Sequence, residues 1–324
     1  MSMSEHVQHS FALVIPAYNR AHLISETIES ALNQEKPFTE IIVVDDGSTD
    51  DTRAVLEKFG SRIRVIHTAN GGVQAARNLG ISSASSDYVT LCDSDDLLEP
   101  EFLKVFSKWL ASHPDCDVLY SNFVSFKNKT VFPDRLSYAP AGLYADLEAQ
   151  GDFATAMPAL IARIVKFQIL FVTGMTLKRS MFDVIGKYDT AFNRVGAEDF
   201  EFTLRAVSRA NIAFCRRPLA RVRRHDGNDS SDQVRHIVGE IRILEHAMDR
   251  EPEVAKQRRT IHAGLDERCL YVFDAAFARG DFDLAFQMLR KFREEPRSLR
   301  FRIKKTILKF PQPCRSAFWR LTQR

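Results

Sequence analysis

The sequence predicts an α/β protein: a mostly parallel sheet flanked by helices, with a helical extension at the C-terminal end. Three observations carry this. Short apolar runs alternate with segments of helical periodicity, and the runs are continuous rather than alternating, as in strands covered on both faces. Polar residues gather just after these runs, at Pro16-Ala17-Tyr18-Asn19, Asp45-Asp46-Gly47-Ser48 and Asp93-Ser94-Asp95-Asp96, where open sheets of this type bind ligands. From Val234 onward the pattern is helical only.

The elements follow in order. Phe11–Ile15 is a strand stopped by Pro16. Leu23, Ile24, Thr27, Ile28, Ala31 and Leu32 fall at helical spacing. Ile41–Val44 is the second strand, Thr52–Phe59 a helix, Ile63–His67 a strand and Val73–Ser82 a helix. Tyr88–Cys92 and Glu99–Leu110 complete a further strand and helix. Beyond them, Val118–Phe123 reads as strand and Phe132–Val165 as an irregular, partly helical insertion. Phe171–Leu177 and Ile212–Cys215 are candidate additions to the sheet, and Arg221 to Asn228 reads as a basic loop.

Bulk composition narrows the function classes. The 324 residues are 45% hydrophobic and 27% charged, ordinary for a soluble globular protein, and the net charge of +3 is too small to suggest a nucleic-acid partner. The five cysteines are scattered without a C-x-x-C pair, which favours reduced thiols over a disulfide framework or zinc site. No apolar run approaches the ~18 residues of a membrane span, and the N-terminal MSMSEHVQHS lacks a signal pattern. The expected location is cytoplasmic, with membrane contact at most peripheral.

Three carboxylates stand within four residues at Asp93, Asp95 and Asp96. Like charges that close repel by roughly 4 kcal/mol per pair at 4 Å and an effective dielectric near 20. A solvated loop with Asp96 capping the next helix accounts for one carboxylate, not three. Asp93 and Asp95 are two apart and can face one side of an extended strand end. Hard oxygen ligands with no nearby Cys ligand pair suit Mg²⁺ or Mn²⁺, which bridge to a substrate diphosphate.

Asp45 and Asp46 head a turn that could simply cap the next helix through Ser48 or Asp50, yet a carboxylate there can also accept a base N–H or a ribose hydroxyl. Asn70-Gly71-Gly72 ahead of Ala75-Ala76-Arg77-Asn78 is either a flexible turn or a glycine-rich anion loop, with Arg77 a fork for phosphate or base oxygens. Glu198 and Asp199 precede Phe200 and a helical run: an acidic first turn, or a general base presented to the site. His225 is a surface histidine or a third metal ligand.

Together, PAYNR at Pro16–Arg20, VVDDGSTD at Val43–Asp50, the NGG…AARN segment, CDSDD and the later AED resemble glycosyltransferase family 2, inverting transferases of the GT-A (Rossmann-like) fold. The resemblance covers Phe11 to Asp229, and its specificity lies in five motifs in order. It implies a sugar moved from a nucleoside-diphosphate sugar, uridine diphosphate being the expected nucleotide, to a saccharide or lipid-linked acceptor of cell-surface polysaccharide biosynthesis. Pro16, Ala17 and Asn19 would line the nucleotide pocket, Asp46 or Asp45 would contact the base, and Arg77 would help hold the nucleotide. Asp93, Ser94 and Asp95 match the metal and diphosphate motif, with Asp95 the direct ligand of Mn²⁺ or Mg²⁺ and His225 completing the shell. Asp199 matches the catalytic base, Glu198 its alternate, and Thr173-Gly174 the border between donor sugar and acceptor. One departure concerns the histidine: the family's aromatic-Arg-x-His is here Val222-Arg223-Arg224-His225.

The implied organisation is a flexible 1–10, a transferase domain at 11–230 (a nucleotide-binding half to 125, an acceptor half from 126) and a helical basic extension at 231–324. From Pro296 to Arg324 there is no acid against nine Lys and Arg. Residues 297–321 therefore read either as a helix packed on its domain or as an interfacial helix on an anionic bilayer. Two other functions are weighed: a nucleotidyltransferase that makes nucleotide-sugars, whose N-terminal glycine-rich signature FALVIPAYNR lacks, and a non-catalytic sugar-binding scaffold, which does not need Asp93, Asp95 and Asp199.

Overall fold

The computed structural model describes residues 9–225, 232–312, 315, 318 and 319. The expectations for residues 1–8, for the Asp226–Asn228 end of the basic loop and for Leu321 lie outside the described residues. The chain divides into two compact units, one of residues 1–194 and 198–228, the other of 195–197 and 229–324.

The first unit is built on one sheet. Its strands are β1 (Phe11–Ala17), β2 (Glu40–Asp45), β3 (Arg64–His67), β4 (Tyr88–Leu91), β5 (Leu97–Leu98), β6 (Val118–Lys127), β7 (Thr130–Asp134), β8 (Glu148–Gln150), β9 (Phe153–Ala156), β10 (Thr176–Lys178) and β11 (Ile212–Arg223). The order is β3-β2-β1-β4-β10-β6-β11-β9-β8, with β5 on β11 and β7 on β6. The block β3-β2-β1-β4 is parallel throughout, and β6 and β11 are also parallel. Between these blocks β10 runs antiparallel to both neighbours. Helices α1 (Ile24–Leu32), α2 (Thr52–Glu57), α3 (Val73–Ser83) and α4 (Phe102–Ser112) link the first strands, and α5 (Leu160–Lys166), α6 (Met181–Ile185) and α7 (Glu198–Arg209) follow.

The core explains why these runs are strands. Residues 11–15 of β1 and 42–44 of β2 are essentially inaccessible, so both faces of each strand are covered. One apolar cluster joins Leu13 and Ile15 to Ile24 and Ile28 of α1, and Phe102 and Phe106 of α4 to Leu119 and Phe123 of β6. Gly80 of α3 lets that helix close on the sheet: a Cβ there would collide with Val14 and stand 3.2 Å from Val44 Cγ2.

Several expectations are corrected. Pro16 does not end β1; the strand continues to Ala17, paired with Asp45. It is tolerated in a central strand because the pairing of β1 with β4 stops at Val14, so the missing N–H faces no ladder. Arg221 to Arg223 belong to a strand, not a loop: β11 is twelve residues long, with register shifts around Pro218. Of Phe171–Leu177 only the end is strand, because Gly174 turns the chain at φ +85°. The insertion holds β8 and β9 as well as α5, pairs too short to show a period.

The second unit is helical, as expected: α8 (Gln233–Arg250), α9 (Pro252–Lys256), α10 (Arg258–Arg279), α11 (Phe282–Leu289) and α12 (Leu299–Leu308). Asp232, Asp281 and Ser298 cap α8, α11 and α12 by accepting the N–H of Arg235, Leu284 and Phe301, and Gly280 closes α10 in the left-handed region. Phe273, Phe292 and Phe301 form its aromatic centre, the Phe273 and Phe301 rings lying 5.0 Å apart. No described helix is long and apolar enough to cross a membrane.

Candidate active site

The polar clusters at the carboxyl ends of β1, β2 and β4 meet through specific bonds. Asn19, left-handed at φ +51°, donates its N–H to Ser48 Oγ (3.0 Å) and accepts the Thr49 N–H on Oδ1 (2.8 Å). The Arg20 N–H donates to Thr52 Oγ1 (2.8 Å). Asn19 and Ser48 thus clamp the loop after β1 to the loop after β2. Neither Ser48 nor Asp50 is the N-cap of α2: that position is Asp51, which makes no side-chain cap bond, and Asp50 accepts the Thr52 N–H from one residue further out.

Asp45 and Asp46 are both buried, and their carboxylates are already engaged. Asp45 accepts the Ser48 N–H (3.0 Å) and faces His67 Nδ1 (2.9 Å). Burial works to raise the Asp45 carboxyl, but the bonds from Ser48 and His67 overcome it and leave the pKa below the ordinary value. Asp46 accepts Gly71 N on one oxygen and Gly72 N on the other, each at 2.8 Å. The glycine amides that suggested an anion loop therefore hold an internal carboxylate. Gly72 sits at φ +87°, and a Cβ there would meet Asn193 at 2.7 Å.

The question of three crowded carboxylates has a structural answer: each has its own partner. Asp93 Oδ1 is 2.7 Å from Arg77 Nη2, an arginine whose side chain is only 4% exposed. Asp95 Oδ2 lies 3.0 Å from His225 Nε2 and 3.5 Å from Arg20 Nε. Asp96 is buried, accepting the Thr173 hydroxyl (2.6 Å) and the Arg223 N–H (2.9 Å). Burial, then the neighbouring Asp95 and Asp93 charges, push the Asp96 carboxyl well above its usual range. Residues 93–96 are not extended, since the Asp96 N–H reaches Asp93 O at 3.1 Å in a turn. The expected same-side arrangement of Asp93 and Asp95 fails for that reason, and Asp96 does not cap a helix.

Among the described residues no group of three His, Cys, Asp or Glu side chains is preassembled to hold a metal ion. Asp95 and His225 form a pair on their own, Asp93 being held by Arg77. Their spacing suits two adjacent ligands of one small divalent ion, since donors each ~2.1 Å from an octahedral centre stand about 3 Å apart. An ion of this kind takes one or two protein ligands and completes its shell with water and phosphate oxygens.

Asp199 lies in the first turn of α7. Burial by itself would lower the Arg77 guanidinium, but the charges of Asp93, Tyr188 and Asp199 reverse this and hold it raised, so Asp199 stands within electrostatic reach of Arg77. Its charge also helps raise the buried Tyr120 and Tyr188 hydroxyls, burial being the larger cause for both. The start of α7 is tied to α3 by Gln74, whose Nε2 donates to Glu198 O (3.0 Å).

Of the remaining expected residues, Thr173 is inaccessible, its Oγ1 accepting the Asp93 N–H (3.2 Å) while donating to Asp96. Gly174 is wedged against Ser121 and Phe102. Neither borders open space; they brace the acidic loop. Ser94 and Ala17 are buried, and Pro16 lies within β1. Sequence reasoning missed Gln74, Asn193, Arg20 and Arg223. Asn193 accepts Gln74 N and donates to Gly71 O, and Arg223 Nε donates to Asp95 O (2.9 Å). Arg20 and Arg223 sat inside quoted motifs and Gln74 in the gap of the NGG…AARN segment, so position could have flagged them; Asn193 carries no sequence signal.

Comparison with known proteins bears on the family and the fold. Residues 12–171 match the family described as Glycosyl transferase family 2. Glycosyltransferase GlyG of Streptococcus pneumoniae is 35% identical over 36% of this chain and 39% of its own length. Chondroitin synthase of Pasteurella multocida is 36% identical over 38% of this chain and 12% of its own length. The match thus spans well under half of each relative. The structure of Staphylococcus aureus TarS 1-349 in complex with UDP-GlcNAc covers 94% of this chain and 82% of its own, with a TM-score of 0.61 at 19% identity, a likeness of fold. Residues 12–171 of the chain are thus a glycosyl transferase family 2 region.

Proposed function

We propose that the first unit transfers a sugar, with inversion, from a nucleoside-diphosphate sugar to a hydroxyl of a saccharide or lipid-linked acceptor. The carrying observation is that the buried Arg77 of α3 pairs with Asp93 and feels the charge of Asp199 at the start of α7, while Asp95, on the same loop as Asp93, pairs with His225 just past β11. Uridine diphosphate is the nucleotide we favour, in line with TarS, which was solved with UDP and with UDP-GlcNAc. Relatives named chondroitin synthase and hyaluronan synthase support a glycan acceptor.

In this reading Asp199 takes the proton from the acceptor hydroxyl as that oxygen attacks the anomeric carbon opposite the departing diphosphate. One displacement inverts configuration with a single base; inverting hydrolases likewise place their base on the face opposite the leaving group. Glu198, next on the same turn, is the alternate base. Arg77 keeps its charge in a buried setting and turns Asp93 towards the diphosphate side. Asp95 and His225 would hold Mn²⁺ or Mg²⁺, which when bound supplies neutralisation of the charge on the leaving diphosphate.

The test is nucleoside diphosphate release from a panel of nucleotide-sugars, with and without divalent ions. Asp199→Asn should lose about 100-fold or more in kcat, and Asp95→Ala should abolish the metal response. Full turnover in chelator would remove the metal, and unimpaired Asp199→Asn would remove the base. Pyrophosphate among the products would indicate nucleotidyl transfer instead.

A further inference from the structure

Helix α12 of the second unit carries two apolar rows where packing needs one. Phe301, Ile307 and Leu308 are buried. Leu299 and Ile303 are 71% and 47% exposed. At 100° per residue these two fall within roughly 40° of one another on the helix surface. Phe310, just past the helix end, and Phe318 are also exposed, and their rings lie 5.1 Å apart. Exposed apolar side chains grouped in this way mark an interaction surface.

The charge beside it has one sign. Lys304 is neutralised by Asp274 and Lys305 by Glu295. Arg300, Arg302 and Lys309 are exposed and make no ion pair among the described residues. No acid occurs from Pro296 to Arg324 to balance them. An apolar row flanked by basic residues, in a segment without an acid, suits a helix lying in the headgroup region of an anionic bilayer. The long basic stems can reach headgroups while their methylenes stay against lipid.

We propose that α12, with Phe310 and Phe318, docks this unit in the plane of an anionic lipid membrane. This goes beyond the transferase chemistry and does not depend on it. The test uses full-length protein, sedimented with vesicles of phosphatidylcholine with or without phosphatidylglycerol. Binding should require the anionic lipid and weaken with salt. Leu299→Ser/Ile303→Ser/Phe310→Ser and, separately, Arg302→Glu/Lys309→Glu should each lower the partition by about tenfold or more. Melting midpoints and donor hydrolysis in solution should stay unchanged, because these side chains are exposed and outside the proposed active site. Three results would overturn the proposal: no sedimentation with either lipid, equal sedimentation with both, or full binding by both variants. A concentration-dependent dimer that the apolar variant abolishes, without lipid binding, would assign the surface to a second copy of the chain.

Discussion

Arg77 Nη2 and Asp93 Oδ1 stand 2.7 Å apart, joining α3 to the loop after β4 with the arginine almost wholly out of solvent. The pair holds one of the crowded carboxylates and fixes where it points. It also gives Arg77 little freedom, since Nη1 reaches Gln74 Oε1 and the guanidinium lies 5.5 Å from the Tyr188 ring centre.

Arg77→Met should therefore cost both stability and activity. Removing one partner of a buried pair costs about 3 kcal/mol, the low end of the usual range because the Asp93 side chain is partly exposed. Arg77→Lys should retain most of the stability yet lose roughly tenfold or more in kcat/KM, because an ammonium cannot serve Asp93 and Gln74 in one plane. Chemical denaturation and donor-hydrolysis kinetics read the two effects separately. Equal stability in Arg77→Met would show that the pair holds nothing in place.

Asp45 predicts an acid limb. Its folded-state pKa lies below the ordinary carboxylate value, so the unfolded chain binds the proton more readily. The contribution is present above the unfolded value, about 3.9, and fades as pH falls through the lower folded value. Asp45→Asn should lower the melting temperature at neutral pH, by an amount corresponding to about 1–3 kcal/mol. The gap from wild type should close below about pH 4. A gap independent of pH from 7 down to 3 would contradict the assignment.

Gly80→Ala tests the packing of α3 on the sheet. The added methyl would meet Val14 and Val44, which are both fully buried in the central strands and cannot retreat. Overpacking of this kind costs about 1–3 kcal/mol, more than the helix propensity gained from alanine. Urea unfolding should show a lower midpoint at unchanged slope, and a stabilised variant would mean that α3 has room to move.

Much of this protein was set by local chemistry. Continuous apolar runs such as FALVI and IIVV become strands wherever both faces are buried, and the polar clusters behind them fall at the carboxyl edge of a parallel sheet. That made the α/β class and the acidic loop of Asp93 and Asp95 legible, whereas the roles expected of Asp199 and His225 came from the family resemblance. The helical period after Val234 likewise gave the second unit.

Tertiary structure decided the partners. Whether the Gly71 and Gly72 amides meet a phosphate or the Asp46 carboxylate depends on loops that approach only when β2 and β3 align. The turn that sends Asp93 to Arg77 and Asp95 to His225 is fixed from below by Thr173 and Arg223, which hold Asp96. The start of β11 at Ile212–Cys215 was legible, but its continuation was hidden because RRPLARVR interrupts the apolar pattern, and its backbone bonds to β6 outweigh that local disfavour. Period and composition report what a residue prefers next to solvent or core. Which oxygen meets which nitrogen across a long stretch of chain is settled only by the packed whole.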